Sequence, residues 1–327
     1  MDDSVSELIC RFIAVDVGVS ACNLRCSYCY VRQQGKNTGR VSPLGRPAVE
    51  VGRAFSRKRL GGRAFLYLYA NGEPLLLPEL VHVVRHLLEE GHYVAIVTNM
   101  TMHECISDLL RLPAELRERL VFFASLHYLE LKRVNRLADF FRHIRMAAEA
   151  GCSWQVRLCL CPEYMEDLDE IRQACLRELG QLPLVAHLRE SVSLPVSVRQ
   201  RLNEAARSFD SVLYDFQQSI CDVPLKEFYH AGEWSAAVHL ASGDVRACLC
   251  EPVRQNIYRD GAMPLVWEPV GRKCHAGWCM CGAHFLSWGV MPVFSCPSYA
   301  QMFSRPGEHS FNERTLNVMR HKLEEAH

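Results

Sequence analysis

From about residue 10 to residue 192 the chain alternates short apolar, β-rich runs with amphipathic segments, the pattern of successive βα units around a parallel sheet. Strands are predicted over 12–19, 64–70, 93–98, 121–126, 154–161 and 184–188. Between them, apolar residues recur every three or four positions over 47–59, 78–90, 101–111, 136–150 and 165–179, which predicts helices. Gly91, Gly151 and Gly180 stand where a helix C-terminus needs a left-handed residue. Six such repeats with right-handed crossovers allow an α/β fold, an open or partial (β/α)6 TIM-like barrel whose chemistry belongs at the carboxyl ends of the strands.

After residue 192 the rhythm stops. A helix is expected over 199–208, and two short strands, 236–240 and 244–247, read as a hairpin joined through Ala241-Ser242-Gly243 and ending at Cys248. A helix-like stretch runs from Cys274 through Ser287, and 313–325 reads as a charged, solvated helix. The expected division is a barrel over 10–192, a connecting region over 193–235 that shapes the substrate pocket, a small cysteine-rich hairpin and helix domain over 236–295, and a C-terminal extension over 296–327.

Composition narrows the class of function. With 37 basic and 37 acidic residues among 327, the chain carries no electrostatic footprint for nucleic acid or an anionic membrane. Its apolar runs are broken before they could span a bilayer; the run 75–88 contains Pro78, Glu79 and Arg85. The opening Met1-Asp2-Asp3-Ser4-Val5 lacks a secretory signal, so a cytoplasmic, reducing compartment is expected. Sixteen cysteines in such a compartment, clustered as they are, suggest ligation. Cys10, Cys105, Cys152, Cys175 and Cys296 read instead as ordinary apolar residues.

The densest group is Cys22-Asn23-Leu24-Arg25-Cys26-Ser27-Tyr28-Cys29, with gaps of three and two residues and no fourth cysteine nearby. Iron–sulfur cubanes are normally held by four thiolates, so three suggest one iron left open for an exogenous ligand. A zinc site with a distant fourth ligand is the alternative. This loop follows the first strand, and Asn71-Gly72-Glu73-Pro74 follows the second, so both face one mouth. The glycine there permits close backbone approach, the glutamate offers a carboxylate for an ammonium, and the proline stiffens the turn. Read by itself, Gly-Glu-Pro is a common surface turn.

Together these residues resemble the radical S-adenosylmethionine (radical SAM) superfamily, with its three-cysteine loop, an aromatic before the third cysteine, here Tyr28, and a Gly-Gly-Glu-Pro strand end, here with Asn71 in the first position. The resemblance covers about residues 10–192. It implies that Cys22, Cys26 and Cys29 ligate a 4Fe–4S cluster whose open iron binds the methionine moiety of S-adenosylmethionine. Reductive cleavage then yields methionine and a 5′-deoxyadenosyl radical that abstracts hydrogen. Glu73 and the Gly72 backbone would meet the methionine ammonium. Asn99 at the end of the third strand, Ser125 near the end of the fourth and Arg157 on the fifth would serve the ribose hydroxyls and the carboxylate. Each also has a structural reading: Asn99 as a cap or turn residue, Ser125 as a core filler, Arg157 as a solvated strand residue.

The later cysteines resemble the twitch form of the auxiliary-cluster domain called SPASM. That likeness implies an auxiliary 4Fe–4S cluster on Cys248, Cys274, Cys279 and Cys281, with Cys221 and Cys250 as alternates; a zinc site, which His275 and His284 would suit, is the competing reading. An auxiliary cluster favours oxidation of a small, sugar- or natural-product-like molecule, with a flavodoxin- or ferredoxin-type reductant. The alternatives are a peptide (RiPP) maturase or protein-activating enzyme and a non-catalytic zinc or iron–sulfur scaffold. The short lead into the first strand leaves no room for a leader-peptide module, which favours the small molecule. Arg189 and Glu190, at the sixth strand end, are the bases that barrel position alone would nominate.

Overall fold

The computed structural model describes residues 8–188, 194–221, 223, 229–259, 263–272, 282–291 and 295–327. Its frame is one nine-stranded sheet in the order β6-β5-β4-β3-β2-β1-β7-β8-β9. The first six strands are β1 (Arg11–Asp16), β2 (Ala64–Tyr69), β3 (Tyr93–Thr98), β4 (Leu120–Ser125), β5 (Ser153–Leu160) and β6 (Leu184–His187), each parallel to its neighbour. The six βα repeats expected from the apolar rhythm are therefore present, with strand ends displaced by up to three residues. The largest displacement is at β1, which ends at Asp16 rather than at 19.

The expected hairpin also forms, as β7 (Ser235–His239) and β8 (Asp244–Arg246). Its first strand pairs in parallel with β1, Phe12 opposite Ser235 and Asp16 opposite His239. The hairpin thus continues the barrel sheet. A third antiparallel strand, β9 (Val253–Asn256), follows β8. Its sequence Val-Arg-Gln-Asn carries no apolar alternation, which is why periodicity did not predict it.

Because side chains alternate across a strand, the sheet has two apolar faces. Ile13, Val15, Leu66, Leu68, Val94 and Ile96 face outward beneath the crossover helices. The helix Leu80–Glu89 buries Leu80, Val83, Val84, Leu87 and Leu88, a spacing of three and four that turns one stripe onto the sheet. Phe12, Phe65, Tyr93, Val121 and Phe123 face inward, where the C-terminal segment packs on them. Trp288, fully buried, lies 5.3 Å from Phe65 and 4.6 Å from Tyr299, ring to ring, and Phe303 lies 5.4 Å from Phe123. Among the described residues the barrel floor is therefore filled by side chains distant in sequence. Buried His92 joins the layers: its Nδ1 accepts the Ala64 N–H (3.1 Å) and its Nε2 donates to the Phe55 carbonyl (2.6 Å).

Two helices differ from expectation. The one expected over 47–59 breaks into Ala48–Ala54 and Arg57–Leu60. Arg59, almost wholly buried, donates to the Ala54 carbonyl and to that of Ile257, so the break ties the first crossover to the region after β9. The helix expected over 313–325 spans only Glu313–Arg320. The chain then turns so that Leu323 can be buried, with its N–H on the Trp288 carbonyl at 2.9 Å. The helix expected over 199–208 is present as Val196–Arg207, and Val212–Ile220 is a further one. Cys152 and Cys175 are buried among apolar neighbours, in keeping with a packing role, whereas the buried Cys10 donates its thiol to the Arg63 carbonyl (3.1 Å) and accepts from the Arg11 guanidinium (3.3 Å).

Candidate functional site

The cysteine loop leaves β1 and is fixed from several sides. A Cβ on Gly72 would lie 1.9 Å from the Ala21 carbonyl oxygen, so only glycine lets the turn after β2 approach the loop. That approach is closed by a hydrogen bond from the Glu73 N–H to the Ala21 carbonyl at 2.8 Å. The Arg25 N–H donates to Glu130 (2.6 Å), and Asn23 donates to the Thr101 hydroxyl (2.7 Å) while accepting from the Asn99 amide (2.8 Å). Tyr28 is buried, its hydroxyl within 2.6 Å of His127 Nδ1 and 2.8 Å of the Tyr164 hydroxyl. The aromatic before the third cysteine therefore clamps the loop to the segments after β4 and β5.

This loop holds Cys22, Cys26 and Cys29 near one another. Burial, reinforced by nearby negative groups that include neighbouring thiols, pushes Cys22 up to about 11 and Cys26 up to about 12. These two thiols keep their protons until a metal displaces them. Among the described residues no three His, Cys, Asp or Glu side chains could hold a single metal ion. Three thiols on one short loop fit the donor set of an iron–sulfur group, in which each thiolate takes one iron.

Glu73 lies 2% exposed at the floor of this mouth. Its Oε1 accepts from the Thr98 hydroxyl (2.7 Å) and the Leu75 N–H (3.1 Å), and its Oε2 from the Asn99 N–H (2.8 Å). A carboxylate has about four acceptor positions, so one on Oε2 remains open. Burial raises this carboxyl to about 7 despite those donors. Asn99 is buried behind β3, and its Oδ1 accepts the Thr101 N–H (3.1 Å), so it has the expected turn role as well as its bond to Asn23.

Ser125 and Arg157 are direct partners in the β4–β5 register and stand with Phe123 on the inner face. Arg157 is not a solvated strand residue. Its guanidinium lies 4.1 Å from the Phe123 ring centroid and donates to the Tyr67 hydroxyl (3.3 Å). The ion pairs of the described residues give it no carboxylate. His284 also lies in the interior, 4.4 Å from Tyr67 ring to ring, with Nδ1 3.1 Å from the Tyr299 hydroxyl.

The residues expected to hold an auxiliary group are only partly among the described ones. Cys274, His275, Cys279 and Cys281 lie outside the described residues, as do Arg189 and Glu190. Cys248 is half-buried just beyond β8 and packs on the inner core; Cys250 is exposed, and Cys221 follows the helix Val212–Ile220. The structure adds residues that no motif announced: Thr98 and Thr101, which hold Glu73 and Asn99, and His127 and Tyr164, which hold Tyr28. A Thr-Asn-Met-Thr strand end and an isolated histidine carry no spacing signal.

An open parallel barrel with a three-thiol loop beside a Gly-Glu-Pro strand end defines a class of metal-dependent enzyme domain. Residues 18–175 match the model of the radical SAM superfamily, and the chain carries a radical SAM domain there. Among solved structures it resembles Streptococcus suis SuiB bound to S-adenosylmethionine, with a TM-score of 0.54 at 15% identity, covering 78% of this chain and 64% of SuiB. It resembles native anSMEcpe with bound AdoMet, with a TM-score of 0.55 at 13% identity, covering 76% of this chain and 78% of that one. The chain thus spans just under two thirds of the length of SuiB. The comparison with curated proteins found no match. The cofactors of a radical SAM domain are a 4Fe–4S cluster and S-adenosylmethionine. No described helix is long and apolar enough to cross a membrane.

Proposed function

We propose that this chain reductively cleaves S-adenosylmethionine and uses the resulting radical to oxidise a small, hydrogen-rich substrate held in the barrel mouth. The observation that carries the reading is the three-thiol loop locked onto Gly72. Cys22, Cys26 and Cys29 would hold the cluster, which when bound supplies the electron that splits S-adenosylmethionine. The protein's own contribution is positional. The open acceptor position on Glu73 Oε2 suits an ammonium, and the unneutralised Arg157, on an aromatic bed beside Ser125, suits a carboxylate. The filled barrel floor excludes water from below.

Cys248, with Cys274, Cys279 and Cys281, would hold an auxiliary cluster in a twitch-like segment, Cys221 and Cys250 being alternates. A peptide substrate is the second reading, favoured by likeness to SuiB solved with the precursor peptide SuiA and to anSMEcpe solved with the Cp18Cys peptide. A reductant of the flavodoxin or ferredoxin type would deliver the electron.

Paramagnetic resonance of the reduced, anaerobically reconstituted chain tests the core of this reading. The spectrum should change when S-adenosylmethionine is added, because the open iron gains ligands. A spectrum indifferent to S-adenosylmethionine would defeat the proposal.

A further inference from the structure

A cavity of about 530 Å³ opens at the carboxyl ends of β1, β2 and β7, against β8. Its size falls in the range of small-molecule sites. Asp16, the last residue of β1, precedes the cysteine loop, and its Oδ2 is 3.5 Å from the side chain of Asn71 in the turn that carries Gly72. The cavity therefore adjoins the radical-generating end of the barrel. None of its polar residues belongs to the cysteine or Gly-Glu-Pro motifs.

The wall offers both signs of hydrogen-bonding group. Asp16 Oδ1 accepts the Gly18 N–H at 2.9 Å, while Oδ2 has only the long Asn71 contact. The Asp244 carboxylate makes no hydrogen bond or ion pair among the described residues, although its backbone N–H is bonded to Ser242. Facing these acceptors are two donors. Arg246 uses one nitrogen on the Glu251 carbonyl (2.7 Å) and pairs with no carboxylate among the described residues. His239 Nδ1 accepts the Ser242 N–H (3.2 Å), which leaves the proton of the neutral ring on Nε2. Tyr69 adds an aromatic surface.

Hydroxyl groups donate and accept at once, so a ring bearing several of them satisfies carboxylates, guanidinium and imidazole together and can stack on the tyrosine. A dianion would meet two carboxylates against a single guanidinium, and an apolar ligand would leave all four polar groups without a partner. We infer that this cavity is a specificity site for a hydroxyl-rich, sugar-like substrate, gripped by Asp16, His239, Asp244 and Arg246 over Tyr69. The inference rests on reading this barrel mouth as the radical SAM site.

Saturation-transfer NMR on the anaerobically reconstituted full chain tests it, with D-glucosamine as probe and glutarate as the dianionic contrast. Glucosamine should bind, glutarate should not, and Asp16→Asn and Asp244→Asn should each weaken glucosamine at least tenfold. Asp244→Asn keeps the test readable should Asp16→Asn misfold, because the Asp244 carboxylate holds no other residue in place. No glucosamine binding to the native chain, or equal binding by Asp244→Asn, would overturn the assignment. Release of 5′-deoxyadenosine, measured on the same preparation, reads the proposed function separately. A chain that cleaves S-adenosylmethionine but ignores glucosamine loses only this inference.

Discussion

Replacing Gly72 with alanine should dislodge the cysteine loop while leaving every cysteine in place. The new Cβ would sit 1.9 Å from the Ala21 carbonyl oxygen and 2.6 Å from its carbon, both backbone atoms that no rotamer change can move. Ordinary contact begins near 3.4 Å, so the loop must retreat by about 1.5 Å. Overpacking of this kind costs about 1–3 kcal/mol, and losing the Glu73 N–H bond to Ala21 adds about 1 kcal/mol. The sum, about 2–4 kcal/mol, corresponds in a chain of this length to a melting point lower by about 3–6 °C. Iron and sulfide per chain after anaerobic reconstitution should fall well below the native value, whereas Asn71→Gly should retain it. A Gly72→Ala chain with native iron content and an unshifted melting point would refute the argument that this contact sets the loop.

Three further outcomes are expected. Burial lowers His92 from 6.5 to about 4, so its contribution to stability is complete above pH 6.5 and is lost as pH falls toward 4. Between pH 7 and pH 5 native stability should drop about 2 kcal/mol more than that of His92→Gln by urea unfolding; equal slopes would remove the claim. Trp288→Ala should cost about 3–5 kcal/mol by the same measurement, because the side chain is wholly buried in the barrel floor. Tyr28→Phe removes the hydroxyl shared by His127 and Tyr164 and should cost about 1–3 kcal/mol, read as a lower melting point of the metal-free chain.

The barrel was legible because its strands and crossover helices obey local periodicities, and because Gly180 ends its helix in the left-handed region at φ 70°. The close approach at Gly72 was legible because such a contact demands glycine, and the triad stood out by its short spacing. The filling of the barrel floor was not. Phe285, Trp288, Tyr299 and Phe303 meet Phe12, Phe65 and Phe123 across more than 150 residues of chain, and no local pattern encodes that meeting. Polar partners such as Thr98 for Glu73 and Tyr164 for Tyr28 were equally hidden, since a hydrogen bond between distant strands leaves no period. Asp16 and His239 fell inside the strands predicted over 12–19 and 236–240 and carried no signal of their own until β7 was found beside β1.

The central claim is that Cys22, Cys26 and Cys29, held by the Gly72 contact, equip this barrel to cleave S-adenosylmethionine. Its most direct test is 5′-deoxyadenosine quantified after anaerobic incubation of the reconstituted chain with S-adenosylmethionine and reductant, beside a Cys26→Ala chain treated identically. The account predicts 5′-deoxyadenosine from the native chain and none above background from the variant. Equal amounts from the two, or none from either, would contradict it.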